Sequence, residues 1–384
     1  MRQFIAEFKA FFRKGDVVLL LLCLLTTAFG CLMIASTTAH SGSGGYLLKQ
    51  GLAVAVGVFM FMVMSSIDVD VFSENRVWLV IFNTTLLLML IPFGVGYGTS
   101  NRSWVHIPLL PFDIQPAEIC KITYILIMAS VMASHRSQLS GIKAVMHMVF
   151  HLGLLFGLNM VLSKDAGVSL IFVAIFIGMT FAGGVSMFWF ALAGGGLAAI
   201  APFAWNFILD NHQKNRIQVL FDPTLDPDGI NERFHSVRSL RSLTGGGFAG
   251  QGLFNGTRTQ NGELFAQHTD YIFSAIGEEL GFLGCAFVLL MMGLIVWRCI
   301  RVGRRSQDFI RRMVCFGAAA ALIFQVMVNV GMCIGVMPVI GLTLPFISYG
   351  GSSMVSLYAM LGLVSGVCAR PEAPTHARYI RPYR

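Results

Sequence analysis

The chain has 384 residues, of which 55% are hydrophobic and only 12% charged, with a net charge of +8 and a mean hydropathy of +0.72. That composition excludes an ordinary water-soluble enzyme. It leaves room for about ten membrane crossings of roughly 20 residues each, and not for a large soluble catalytic domain as well. The basic residues cluster beside apolar runs, which speaks for retention against anionic lipid and against nucleic-acid binding.

Hydropathy predicts spans over residues 17–38, 46–66, 77–97, 116–134, 143–162, 167–183, 187–208, 271–297, 312–336 and 351–369, an all-α polytopic membrane protein. The first apolar run lacks a clear small-residue cleavage site, so no cleavable secretion signal is expected. A tail over residues 1–16 carries Arg2, Lys9, Arg13 and Lys14. The loop after the eighth span carries Arg298, Arg301, Arg304, Arg305, Arg311 and Arg312, and a tail over 370–384 carries Arg370, Arg378, Arg381 and Arg384. Ten spans put all three on one side, which the positive-inside rule makes cytoplasmic. Residues 17–369 then form a single transmembrane domain with one large extracytoplasmic loop over 210–270. That loop is rich in turn-forming runs such as Asp226-Pro-Asp-Gly229 and Gly245–Gly252. The eight cysteines are scattered, without metal-ligand spacing, and read as small core residues.

The few charges at membrane depth are the informative residues, because charge there faces a partner, a cavity or a substrate. Gln115-Pro-Ala-Glu-Ile-Cys-Lys121 opens the fourth span with Pro116 in its first turn, where the missing N–H costs little. Glu118 and Lys121 stand i,i+3 and can pair, either to fix helix packing or to wall a polar cavity; the two roles are compatible. Asp165 falls in the short turn between spans five and six. In Gln267-His-Thr-Asp-Tyr-Ile-Phe273, either Thr269 or Asp270 caps the helix, or Asp270 is a carboxylate base facing an external hydroxyl. Glu278 and Glu279 are adjacent on the eighth span, so at most one is expected to face the bundle interior, in a structural role. The Gly245–Gly252 run lacks a Walker lysine and reads as a tight surface loop. Pro345, Gly350 and Gly351 indicate a broken or re-entrant entry to the last span. These polar groups converge in depth on the outer interface.

Taken together, Pro338-Val-Ile-Gly-Leu-Thr-Leu-Pro-Phe-Ile-Ser-Tyr-Gly-Gly-Ser-Ser353, Gln115–Lys121 and His268-Thr-Asp-Tyr-Ile-Phe-Ser-Ala-Ile-Gly-Glu-Glu-Leu-Gly281 resemble the SEDS family of RodA, FtsW and SpoVE over nearly the whole chain. The resemblance implies ten transmembrane helices in the bacterial cytoplasmic membrane and peptidoglycan glycosyltransferase activity on lipid II, with a class B penicillin-binding protein as transpeptidase partner. It implies that Asp270 is the catalytic residue and that Glu118, Lys121 and Trp104 line the substrate cavity. Ser348 belongs to the last motif and is a further candidate for substrate binding. Arg216, Arg238 and Arg241 are candidates for neutralising a departing pyrophosphate, alone or with a divalent cation, Mg or Mn. Departures from the family pattern at Leu162-Ser-Lys-Asp-Ala-Gly-Val-Ser169, Leu264-Phe-Ala-Gln267 and Tyr271 mark a divergent branch. A flippase for the same lipid-linked precursor is the alternative, and a catalytically silent scaffold the third reading.

Overall fold

The computed structural model describes residues 15–41, 44–96, 102–108, 111–208, 211–226 and 233–370. Its main helices are α1 (Val17–Thr37), α2 (Gly44–Ser66), α3 (Arg76–Phe93), α4 (Pro116–Ser134), α5 (Ile142–Leu162), α6 (Ala166–Gly183), α7 (Met187–Phe207), α8 (Asn211–Phe221), α9 (Phe234–Gly245), α10 (Ile272–Arg305), α11 (Phe309–Cys333) and α12 (Gly351–Ala369). Among the described residues ten of these, all but α8 and α9, are long and apolar enough to cross a membrane. The tails expected over 1–16 and 370–384 lie almost wholly outside the described residues. Helix starts follow local chemistry: Asp16, Asp165 and Asp308 accept the backbone N–H of Leu19, Val168 and Arg311 at 3.1 Å each.

α11 runs through the middle of the bundle and packs on α10, α6, α4 and α12, while α2 and α12 form the most intimate pair. That pair is close because Gly362 and Gly366, one turn apart, present no side chain. A Cβ at Gly362 would lie 2.5 Å from the Phe61 carbonyl oxygen, and one at Gly366 2.9 Å from that of Ser65. In lipid there is little hydrophobic force between helices, so close backbone approach of this kind carries the association. At the other extreme, α7 buries no residue among those described.

Two spans differ from expectation. The third stops at Phe93, because the chain turns into β1 (Gly94–Val95), which pairs antiparallel with β2 (Trp104–Val105). The eighth runs on to Arg305 but is broken at Gly281, whose φ of 66° and ψ of −159° leave the helix. The break frees backbone groups on both sides. The glycine run takes them up: the N–H groups of Gln251 and Gly252 donate to the carbonyls of Glu278 and Glu279, and those of Phe282 and Leu283 donate to the carbonyls of Gly247 and Phe248, all at 2.9–3.2 Å. The run is therefore no simple surface turn; it clamps a broken membrane helix.

The same clamp buries both Glu278 and Glu279 completely, correcting the expectation that only one faces inward. Glu278 accepts from the backbone N–H of Arg258 and Thr259 and from the Thr259 hydroxyl, at 2.7–3.0 Å. Glu279 accepts from the Ser36 hydroxyl of α1 and from Gln260 Nε2, at 2.6–2.8 Å. Both carboxylates are structural, as expected, and tie residues 246–260 to α10 and α1.

The clamp has a direct test. A Cβ at Gly250 would lie 2.1 Å from the Glu279 carbonyl oxygen, whereas one at Gly247 meets nothing within 4 Å, and both glycines have positive φ. Gly250→Ala is expected to destabilise the purified protein by about 2 kcal/mol or more, well beyond Gly247→Ala, which carries the backbone strain alone. Equal melting temperatures for the two variants would reject the clamp.

Candidate active site

At the Pro116 end of α4 the bundle opens into a cavity of about 650 Å³. Each wall comes from a different stretch of sequence. The β-hairpin contributes Trp104 and His106, α4 and its lead-in contribute Gln115 and Glu118, and the α5–α6 turn contributes Asp165. The loop before α10 contributes Asp270, the segment before α12 contributes Gly341 and Tyr349, and α2 contributes Lys49.

Glu118 is nearly buried and held from two sides. Lys121 Nζ donates to it at 2.8–2.9 Å, and the Ser356 hydroxyl of α12 donates to Glu118 Oε2 at 2.6 Å. Pro116 occupies the first helical turn, as its lack of an N–H allows. The expected i,i+3 pair is thus both a packing element and a cavity wall. Lys121 stands behind Glu118 and does not itself line the cavity.

Asp270 is not a helix cap: α10 begins after Tyr271 with no side-chain cap. Its backbone carbonyl is fixed by Asn329 Nδ2 at 2.9 Å, and the same amide nitrogen donates to the Leu342 carbonyl at 2.7 Å. The carboxyl is left to face the cavity beside Gly341. Burial pushes it up to about 6, with the Asp165 carboxylate adding to the shift and a hydrogen bond from Thr269 opposing it. Asp165 is itself raised, mainly by burial and further by Glu118, against hydrogen bonds from backbone N–H groups and Ser103. Gln115 Nε2 donates to Asp165 Oδ2 at 3.0 Å.

Ser348 lies just behind the cavity. Its hydroxyl donates to the Thr269 carbonyl at 2.6 Å and accepts from the Leu344 N–H at 2.8 Å, linking the segment before α12 to the loop that carries Asp270. Phe346, buried in that segment at a φ of 63°, marks backbone strain next to the cavity. Arg238 donates to the Glu263 carbonyl at 2.7 Å and lies over the Phe234 ring, outside the cavity. Arg241 is exposed on α9, also away from it, and the side chain of Arg216 lies outside the described residues. Sequence reasoning missed Lys49, a cation at the cavity wall, and its neighbour Gln50, buried in α2. Gln50 accepts from the Gly350 N–H at 3.2 Å and donates to the Ser348 carbonyl at 3.4 Å. The KQ pair just inside an apolar run is the one cue the sequence held. Among the described residues no group of three or more His, Cys, Asp or Glu side chains is arranged to hold a metal ion.

Fold and cavity together define a multi-pass helical membrane protein with a carboxylate-lined site at one end of its bundle. Residues 16–372 match the FTSW_RODA_SPOVE family, described as "Cell cycle protein", and the chain belongs to that family. It is 32% identical over 367 residues to the probable peptidoglycan glycosyltransferase FtsW of Trichlorobacter lovleyi, covering 92% of this chain and 93% of that protein. It is 29% identical over 354 residues to the peptidoglycan glycosyltransferase MrdB of Escherichia coli K12, covering 92% and 93%. A solved chain from a structure titled "Structural coordination of polymerization and crosslinking by a peptidoglycan synthase complex" superposes with a TM-score of 0.79 at 25% identity, covering 96% of this chain and 99% of that one.

Two substitutions test the geometry. Glu118→Ala strands the Lys121 ammonium inside the bundle and is expected to cost about 3–5 kcal/mol of stability, with Glu118→Ala/Lys121→Met recovering most of it. A melting curve unchanged in the single variant would reject the coupling. Ser348→Ala leaves the Thr269 carbonyl and the Leu344 N–H without their partner, and should lower stability by about 1–3 kcal/mol.

Proposed function

We propose that this protein polymerises lipid II, with Asp270 as the general base. The observation that carries the reading is a raised carboxyl, Asp270, facing a polar cavity that Glu118 and Trp104 also line. An acceptor sugar 4-hydroxyl is a poor nucleophile until a base takes its proton. A base titrating near 6 is ionised at neutral pH and close enough to the working range to accept that proton in the transition state. The hydroxyl oxygen then bonds to the donor anomeric carbon, the bond to the lipid pyrophosphate breaks, and the proton passes to Asp270. One displacement converts an α-linked donor to a β link. Lys49 is the ammonium best placed along the cavity wall to offset pyrophosphate charge, and Trp104 offers an apolar face to a sugar ring.

Sidedness follows from the charge pattern. The Arg-rich ends of α10, α11 and α12 lie opposite the cavity, so the positive-inside rule turns the cavity outward and both termini toward the cytoplasm of a bacterial inner membrane. The large segment after α7 is then extracytoplasmic. A class B penicillin-binding protein is the partner that would cross-link the product, a reading supported by the likeness to a chain of a peptidoglycan synthase complex.

A flippase needs a polar path through the whole membrane. Below Glu118 and Lys121, α4 buries Tyr124, Ile125, Met128, Ala129 and Met132, and α11 buries Leu322, Ala318 and Cys315. That apolar floor favours chemistry at one face over transport.

The deciding measurement is glycan-chain formation from purified lipid II by the reconstituted protein with its transpeptidase. Asp270→Asn is expected to lose polymerisation by at least about 100-fold, the usual reach of a general base. The wild-type rate should fall as pH drops through about 6. Stability should move the other way. The folded state favours the neutral carboxyl, so this group's contribution declines as pH rises from near 4 to about 6, and Asp270→Asn should melt no lower than wild type at pH 7.5. Polymer yield unchanged in Asp270→Asn would remove Asp270 from the chemistry.

A further inference from the structure

At the end of the bundle opposite the cavity, a second recess of about 250 Å³ lies between the C-terminal ends of α10 and α12 and the start of α11. Five arginines line it, Arg298, Arg301, Arg305, Arg311 and Arg370, together with Cys368. Their retention on one side of the membrane explains why basic residues are there. It does not explain why they converge on a recess.

Three of the five are committed. Arg298 pairs with Asp16 at 2.8 Å, Arg311 with Asp70 at 2.9 Å and Asp68 at 3.4 Å, and Arg370 with Asp68 at 3.2 Å. These pairs join α1, the α2–α3 connection and α12 to the recess and make it rigid. Among the described residues Arg301 and Arg305 form no ion pair within 4 Å, so the recess keeps an excess of positive charge. Arg301 lies 4.8 Å over the ring of Trp297, which is half exposed on the outer surface of α10. An exposed tryptophan at the end of an apolar span sits at headgroup depth. Arginine's planar fork suits phosphate, and basic recesses between membrane helices on the positive side take anionic headgroups.

We propose that this recess is a binding site for an anionic glycerophospholipid, with Arg301 and Arg305 holding the headgroup phosphate and Trp297 flanking the upper acyl chains. Bound there, the lipid bridges the ends of α10, α11 and α12. The assignment is independent of the reading of the cavity.

Cys368 is a built-in reporter, because it is the exposed one of the eight cysteines and lines the recess. The full chain is placed in phosphatidylcholine nanodiscs with and without phosphatidylglycerol, and the rate of maleimide labelling at Cys368 is followed. Phosphatidylglycerol is expected to slow labelling in wild type and in Arg304→Gln, a neighbouring charge outside the recess. Arg301→Gln/Arg305→Gln should lose that protection, with lipid affinity down roughly 10- to 30-fold, on the order of one charge-worth per arginine. If the double variant does not fold, Arg305→Gln alone, at an exposed position, carries the same comparison with a smaller shift. Equal labelling in both lipids, or protection untouched by the variants, overturns the site. Inorganic phosphate protecting phosphatidylcholine nanodiscs as well as phosphatidylglycerol does would make it a free-anion site and overturn the lipid assignment.

Discussion

Backbone that leaves the helix inside a membrane bundle must find partners for its N–H and C=O groups without water. The cavity depends on that constraint, because most of its walls are not helix. The loop before α10, the segment before α12 and the break at Gly281 all expose main-chain groups at depth. Each is met by a specific partner: Asn329 and Ser348 for the first, Gln50 for the second, and the glycine run for the third. Buried polar side chains in the apolar spans thus serve to hold irregular backbone in place, and the irregular backbone in turn carries Asp270 and Gly341 into the cavity.

The same economy governs the buried charges. Glu278 and Glu279 would be costly on a lipid-facing helix, yet both are saturated by donors from residues 254–260 and from α1. Glu118 is saturated by Lys121 and Ser356. Asp165 is engaged by Gln115 and by the N-terminal N–H of α6. Asp270 differs from all of these. Its backbone is anchored, while its carboxyl, which takes a hydrogen bond from the adjacent Thr269, faces the cavity and is raised by burial. A group that the fold positions but does not saturate is one whose cost is met elsewhere in the structure, which is the pattern expected of a working acid or base.

Much of this was legible in the sequence. Hydropathy located the ten spans because each is a continuous apolar run, and spacing alone paired Glu118 with Lys121. What escaped depended on contacts between distant segments. The clamp joins Gly246–Gly252 to residues some 30 positions later, and nothing in either stretch names the other as its partner. The burial of both Glu278 and Glu279 is invisible on a continuous helix with one face to lipid; the break at Gly281 and the covering loop remove that face. Lys49 stands near the start of an apolar span with no pattern around it, and the closeness of α2 to α12 accompanies its place at the cavity wall. The third span ends earlier than hydropathy predicts, because hydropathy does not register a hairpin whose strands are themselves apolar.

The two ends of the bundle are chemically opposed. Around the cavity acid outweighs base, with Asp113, Glu118, Asp165 and Asp270 against Lys49 and the His106 that pairs with Asp113 at 2.7 Å. At the other end arginine outweighs aspartate. About 14 residues of α11 separate Gln325 at the cavity from Arg311 at the recess, roughly 21 Å of helix, and the side chains between are largely buried and apolar. A carrier that moved a pyrophosphate across the membrane would have to bring it past that apolar stretch and release it from the arginine end. An enzyme that receives its lipid-linked substrate laterally at the acidic end needs neither. The Asp270 carboxyl at that end is raised by its own burial. The features that make the bundle a poor conduit are the ones that confine its polar chemistry to one end.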